Sequence, residues 1–176
     1  LNGQLFVTAS GGLLGGYTPA VLKRLALVAR QNKVNYIVAE SNFGDGMFSQ
    51  LLKPVLSEEV HYPCTIEEVK HSIQKERRII DTLEPVMNSH KLIVAKEVVE
   101  KDFKNFSSPT DKATRGTLGG NMQLYQLFYQ MSRITFDKGA LRHDDRLDAL
   151  AIAVGYWVEH MEAHTDTAVK QWREEQ

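Results

Sequence analysis

Short apolar segments alternate with longer amphipathic segments along most of this chain, and this alternation limits the possible fold more than any other sequence feature. Segments of strand length are predicted at residues 4–9, 34–39, 65–69 and 92–95. Helical spacing of apolar residues predicts helices at residues 19–32, 47–60, 74–87, 97–106 and 144–164. Strands that alternate with helices indicate an α/β fold, in which helices pack on the faces of a sheet.

The composition is that of an ordinary globular domain: 176 residues, 43% apolar, 24% charged, with a net charge of −1. The single cysteine, Cys64, excludes an intrachain disulfide and a cysteine-based zinc cage. No run approaches the roughly 18 apolar residues of a membrane span. We expect one domain over residues 1–164, followed by a polar C-terminal tail at residues 165–176.

The chain opens on a turn signal, Asn2-Gly3, which is typical of a hairpin with a strand on each side. Only the strand after the turn is present in the sequence. We therefore expect that the sheet has further strands upstream and that these N-terminal strands are missing from the chain.

Carboxylates stand at two positions that suit metal chemistry. Glu40 ends an apolar strand, and ligands gather at the carboxyl ends of strands in α/β sheets. Residues 143–148 read His-Asp-Asp-Arg-Leu-Asp at the start of a helix, where Asp144 suits a cap. Asp145 and Asp148 are neighbours on one helix face, so they repel unless a cation or a proton lies between them.

Oxygen-only clusters of this kind suit Mg²⁺ or Mn²⁺. Two such ions drive hydrolysis of phosphodiesters, because one activates water and the other stabilises the leaving oxygen. The sequence therefore predicts a two-metal site with Glu40, Asp145 and Asp148 as catalytic residues and metal ligands. Asp144 is a fourth predicted ligand.

Basic residues near the predicted helix at 74–87, and in the Ser-, Thr- and Gly-rich segment 107–120, are candidates to bind nucleic-acid phosphates. They are Lys70, Lys75, Arg77, Arg78, Lys112 and Arg115. A solvated charged face explains the first four equally well, and a plain loop remains the alternative for the last two. An aromatic stripe at helical spacing usually packs, which places five residues in the predicted core: Tyr125, Phe128, Tyr129, Phe136 and Trp157.

Four blocks of sequence carry a family resemblance: residues 40–48, 81–87, 128–131 with 133–135, and 139–150. They are similar to the C-terminal nuclease domain of the terminase large subunit (DNA maturase B) of short-tailed bacteriophages, and the resemblance runs from Leu1 to about Trp157. It implies a ribonuclease H-like fold of the resolvase and integrase type, with a mixed sheet flanked by helices.

The resemblance also implies an activity: a metal-dependent endonuclease that cuts concatemeric double-stranded viral DNA during packaging, with two Mg²⁺ or Mn²⁺ ions. Glu40 matches the family's acidic residue at the end of a central strand, and Asp145 and Asp148 match carboxylates of the C-terminal helix. The family's first metal ligand, an aspartate on an upstream strand, has no counterpart in this sequence. A catalytically impaired docking or DNA-binding module of the packaging motor is therefore the alternative.

The implied partners are double-stranded DNA, a portal protein, a small terminase subunit and an ATPase domain of the same subunit. The implied location is the cytoplasm of the infected bacterium, with no membrane contact.

Overall fold

A computed structural model describes residues 3–41, 46–104 and 122–174, with the backbone alone described for Met122 and for residues 162–174. The elements alternate as the sequence predicts, which confirms an α/β chain. In chain order they are β1 (Leu5–Val7), α1 (Pro19–Gln31), β2 (Tyr36–Glu40), α2 (Met47–Glu59), β3 (Thr65–Val69), α3 (Lys75–Asn88), β4 (Leu92–Val94), α4 (Lys96–Lys104), a 3-10 helix (Met122–Tyr125), α5 (Leu127–Arg133) and α6 (Asp145–Glu174).

The described strands form two parallel pairs. β1 pairs with β4, and Leu5 lies opposite Leu92. β2 pairs with β3, and Glu40 at the end of β2 lies opposite Val69. Parallel pairing requires a crossover between the partner strands, and helices provide it here. A mixed sheet and additional upstream strands stay predictions.

The chain divides into two compact units. The sequence predicted a single domain over residues 1–164. Unit 1 comprises Leu1–Gly11 and Ile73–Gln176, and unit 2 comprises Gly12–Ser72. Helix α6 continues to Glu174, so its backbone extends well into the segment that was predicted as a polar tail. Among the described helices, none combines the length and apolarity needed to cross a membrane.

The core of unit 1 is built mainly by α3 and α6, whose apolar residues recur at helical spacing. Gly155 of α6 lies opposite Thr82 of α3, where an added Cβ would be 3.6 Å from the threonine methyl, so the two helices approach closely. Strands β1 and β4 pack against the same cluster through Leu5, Val7 and Leu92. The buried members are Ile79, Leu83, Val86, Leu127, Leu147, Leu150, Ala151 and Val154.

Unit 2 has its own core between α1, α2 and the β2–β3 pair. Pro19 occupies the first turn of α1, as predicted, whereas Thr18 makes no side-chain capping hydrogen bond. The Tyr62 hydroxyl donates to the Ala29 carbonyl over 2.8 Å, which ties the segment before β3 to α1. The buried members of this core are Leu22, Ala26, Ala29, Leu52, Leu56 and Val60.

Candidate functional site

Three carboxylates, Asp144, Asp145 and Asp148, lie at the start of α6, and we call them the acidic turn. The backbone N–H of Asp148 donates to the Asp144 carbonyl over 2.8 Å, which closes the first helical turn. The three side chains differ in exposure: Asp145 is exposed, Asp144 is half-buried, and Asp148 is buried with 6% of its surface accessible. Spacing along the helix therefore does not make Asp145 and Asp148 equivalent.

Two cations from α3 neutralise part of the acidic turn. Arg78 Nη2 lies 2.7 Å from Asp148 Oδ1, and both side chains are about nine-tenths buried. Lys75 Nζ lies 3.2 Å from Asp144 Oδ1 and also 3.2 Å from Asp148 Oδ2. Neighbouring anions require a positive partner, and here the chain supplies two. The sequence predicted the repulsion but assigned both cations to nucleic-acid phosphates.

The electrostatics of Lys75 follow from these contacts. Burial acts to lower the pKa of the Lys75 ammonium, but the charges of Asp148 and Asp144 and the hydrogen bonds to them outweigh burial. The pKa of Lys75 is therefore raised, and the side chain carries its positive charge throughout the physiological pH range.

Asp145 is in a different situation. Within residues 3–41, 46–104 and 122–174, its carboxylate has no hydrogen bond or ion pair. It lies in the first turn of α6, where the helix dipole favours negative charge. Asp145 thus presents an open carboxylate oxygen donor at the surface of unit 1.

The first turn of α3 also holds the loop that leads into α6. Gln74 Nε2 donates to the Phe136 carbonyl over 2.9 Å, and the Gly139 N–H donates to Glu76 Oε1 over 2.6 Å. Gly139 has a φ of +76°, a conformation that side chains other than glycine's rarely adopt. The hydrogen bond from Gly139 is the main cause that lowers the pKa of the buried Glu76 carboxyl.

A buried polar network fixes the other side of α6, and sequence reasoning did not find it. Asp102 of α4 accepts hydrogen bonds from the Leu127 and Phe128 N–H groups, each over 3.0 Å, and from Arg146 Nη1 over 2.9 Å. Gln130 of α5 is fully buried, and its Oε1 accepts from the Leu147 N–H over 3.0 Å. The network caps the N-termini of α5 and α6 from neighbouring elements.

In unit 2, Glu40 ends β2 as predicted and is partly buried. The adjacent Ser41 N–H donates to the Val69 carbonyl over 2.9 Å, which extends the pairing with β3 by one residue. Glu40 and Glu68 line one small cleft. Gly46 also lines that cleft and has a φ of +83°. A Cβ at this position would lie 3.1 Å from Glu68 Oε1. Glu68 is a second carboxylate that the sequence did not indicate.

The predicted site residues are therefore distributed over both units. Glu40 belongs to unit 2 and the acidic turn to unit 1, so the convergence of Glu40 with Asp145 and Asp148 stays a prediction. Lys70 and Arg77 are exposed, and Arg77 Nε lies 3.5 Å from Asp81 Oδ2. Lys112 and Arg115 lie outside the described residues.

The donor chemistry of the acidic turn fits a hard divalent cation, because the half-buried Asp144 and the exposed Asp145 both offer carboxylate oxygens. No group of three or more His, Cys, Asp or Glu side chains in the described part of the chain is arranged to hold a metal ion. A complete metal centre would therefore need ligands in addition to those that the acidic turn presents.

Comparison with known proteins defines the class to which this α/β chain belongs. Residues 1–92 match the family described as Terminase Bacteriophage T7, Ribonuclease H-like domain. The terminase large subunit of Enterobacteria phage T3 is 40% identical over 162 residues, which is 92% of this chain and 26% of that relative. The chain spans about a quarter of the length of this relative. It belongs to the family of ribonuclease H-like nuclease domains of phage terminase large subunits, as the sequence resemblance implied.

Proposed function

We propose that this chain is a metal-dependent endonuclease domain that cuts concatemeric double-stranded DNA during phage genome packaging. Family membership supports a packaging nuclease in general terms. The observation that carries the finer proposal is the open carboxylate of Asp145, held on a helix whose start is fixed by buried partners.

We assign the metal to Asp144, Asp145 and Asp148 of the acidic turn, while Glu40 of unit 2 stays a further ligand that the sequence alone predicts for a two-ion site. When bound, Mg²⁺ or Mn²⁺ would activate water and stabilise the leaving oxygen of a phosphodiester. Arg78 has a different role from the metal ligands. It donates a hydrogen bond to Asp148 Oδ1 and so orients that carboxylate, while Asp148 Oδ2 contacts Lys75. The buried Arg78 thereby acts as a positioning residue.

We assign phosphate contacts to the exposed side chains Lys70 and Arg77, and to Lys112 and Arg115 from the sequence. Arg78 is left out, because it is buried against Asp148. Contacts to phosphates carry no sequence information and release counterions, so DNA affinity should be insensitive to sequence and fall steeply as salt rises. A binding titration on two unrelated duplexes at two salt concentrations tests this assignment, and strong preference for one duplex would contradict it.

The partners that this role requires are the DNA itself, a portal protein, a small terminase subunit and an ATPase domain of the same subunit. The proposed location is the cytoplasm of an infected bacterium.

Plasmid nicking with Mn²⁺ tests the proposed activity. We expect the wild-type protein to nick supercoiled plasmid, and Asp145→Asn to reduce the rate by about 10- to 100-fold, because an amide cannot neutralise a divalent charge. Asp137→Asn is the matched control, since Asp137 is an exposed aspartate of the same unit that contacts Thr135 and not the acidic turn. Full activity of Asp145→Asn would show that the ligand is misassigned. A wild-type protein that binds DNA but never nicks it would favour the docking module instead.

A further inference from the structure

Lys75 occupies an unusual place in the acidic turn. Its ammonium group lies at the same distance, 3.2 Å, from one oxygen of Asp144 and one oxygen of Asp148. Arg78 already holds the other oxygen of Asp148. A single cation thus bridges the two carboxylates that flank Asp145 in the chain.

We propose that Lys75 is a built-in competitor of the divalent metal, which occupies the space between Asp144 and Asp148 until a metal ion displaces it. This inference rests on the proposed function and deepens it, because it names the residue that regulates access to the metal centre. Lys75 is a regulatory residue in this scheme and takes no part in bond cleavage.

The two cations of α3 differ in the freedom that such a role needs. The Arg78 side chain is only 9% exposed, and its planar guanidinium is fixed against Asp148. The Lys75 side chain is 41% exposed, and it carries a compact charge on a flexible four-carbon stem. Lys75 can therefore swing into solvent at little cost, whereas Arg78 cannot.

Charge balance gives the reason for displacement. Without metal, the two cations match the charges of the two carboxylates Asp144 and Asp148. A divalent ion that entered beside a resident ammonium would experience repulsion at close range, which a partly buried setting strengthens. Release of Lys75 removes that repulsion and frees one oxygen from each carboxylate for coordination.

Calorimetric titration of Mn²⁺ into the protein without DNA tests the proposal. Lys75→Met keeps the length and apolar stem but removes the competitor, so we expect Mn²⁺ to bind about three- to tenfold more tightly than to the wild type. Lys96→Met is the matched control, because Lys96 is exposed, belongs to the same unit and forms an ion pair with Glu100 of its own helix. It should leave the affinity unchanged within about twofold.

A second measurement uses the wild-type protein alone. Acylation of Lys75, read by peptide mass spectrometry, should increase when Ca²⁺ or Mn²⁺ is added, because a displaced ammonium is more exposed. This readout keeps the proposal testable if thermal melting shows that Lys75→Met is not folded.

The outcomes separate the two proposals. If neither the wild type nor Lys75→Met binds Mn²⁺, the metal centre itself is wrong. If the wild type binds Mn²⁺ and Lys75→Met binds it equally or more weakly, the metal centre survives and the competitor role is overturned. An equal gain of affinity in Lys96→Met would also overturn it, because the effect would then be one of overall charge.

Discussion

Asp145 and Asp148 lie three residues apart on one helix, yet the first is exposed and the second is only 6% exposed. The difference arises from α3, which places Arg78 and Lys75 against Asp148. The same residue type therefore has two roles in one turn. Asp148 is already paired with Lys75 and Arg78 of α3, whereas Asp145 remains open for a ligand.

The sequence predicted the acidic residues but not their partners, and the reason is distance along the chain. Arg78 and Asp148 are 70 positions apart, and their contact depends on how α3 packs against α6. Spacing rules report only which residues of one helix share a face. The repulsion between neighbouring carboxylates was therefore visible in the sequence, but the source of the compensating charge was not.

Glu76 gives a prediction for the pH dependence of stability. Its folded-state pKa is lowered by the Gly139 N–H, so it stabilises the fold at pH values above its unfolded pKa of about 4.3. That contribution begins to decrease below this value and is lost as the pH falls through the lowered folded-state pKa, where the carboxyl takes up a proton. Glu76→Gln should lower the free energy of unfolding by about 1–2 kcal/mol at pH 7 and by much less at pH 3.

Urea denaturation at the two pH values measures the effect. Glu84→Gln serves as the control, since Glu84 is an exposed residue later on the same helix. An equal loss of stability at pH 7 and pH 3 would show that the charge of Glu76 is not what stabilises the loop.

At the scale of secondary structure, apolar periodicity predicted the elements well and their ends less well. The helix predicted at residues 74–87 is observed at Lys75–Asn88, and the strand at Thr65–Val69 agrees at both ends. Two aromatic predictions were wrong, because Phe136 and Trp157 are 58% and 46% exposed. Phe136 lies in the loop that Gln74 holds through the backbone, so helical spacing has no bearing on it.

The sequence did not predict the polar network around α5, because this network also depends on contacts between distant parts of the chain. Asp102 stands in a segment of charged residues, Glu100-Lys101-Asp102, that reads as a solvated helix face. In the structure it is buried and accepts hydrogen bonds from an element about 25 residues further along the chain. Local pattern cannot distinguish such a residue from its exposed neighbours.

Asp102→Ala should be strongly destabilising as a consequence. It removes two hydrogen bonds to the N-terminus of α5 and leaves the Arg146 guanidinium without this carboxylate, at a cost of about 3–5 kcal/mol. Asp81→Ala removes an exposed carboxylate that lies 3.5 Å from Arg77, and it should cost less than about 1 kcal/mol. Chemical denaturation of the two variants measures the difference, and similar midpoints would mean that the network contributes little.

At the scale of the whole molecule, the described residues form two hydrophobic cores that share no residue. One is built around α3 and α6 in unit 1, and the other around α1 and α2 in unit 2. Each candidate ligand set is positioned by its own core, because Glu40 follows a strand of unit 2 and the acidic turn begins a helix of unit 1. Loosening one core should therefore affect one set of carboxylates first.

Native-state hydrogen exchange on a matched pair of core variants tests this independence. Leu52→Ala opens a cavity in the core of unit 2, where Leu52 is 1% exposed, and should cost about 2–5 kcal/mol. Leu83→Ala does the same in unit 1, where Leu83 is 4% exposed. If the units open separately, Leu52→Ala should speed exchange of the α1 amides and spare those of α3, and Leu83→Ala should do the reverse. Equal acceleration in both helices for either variant would show that the two cores unfold as a single cooperative unit, and that damage to one necessarily reaches the carboxylates of the other.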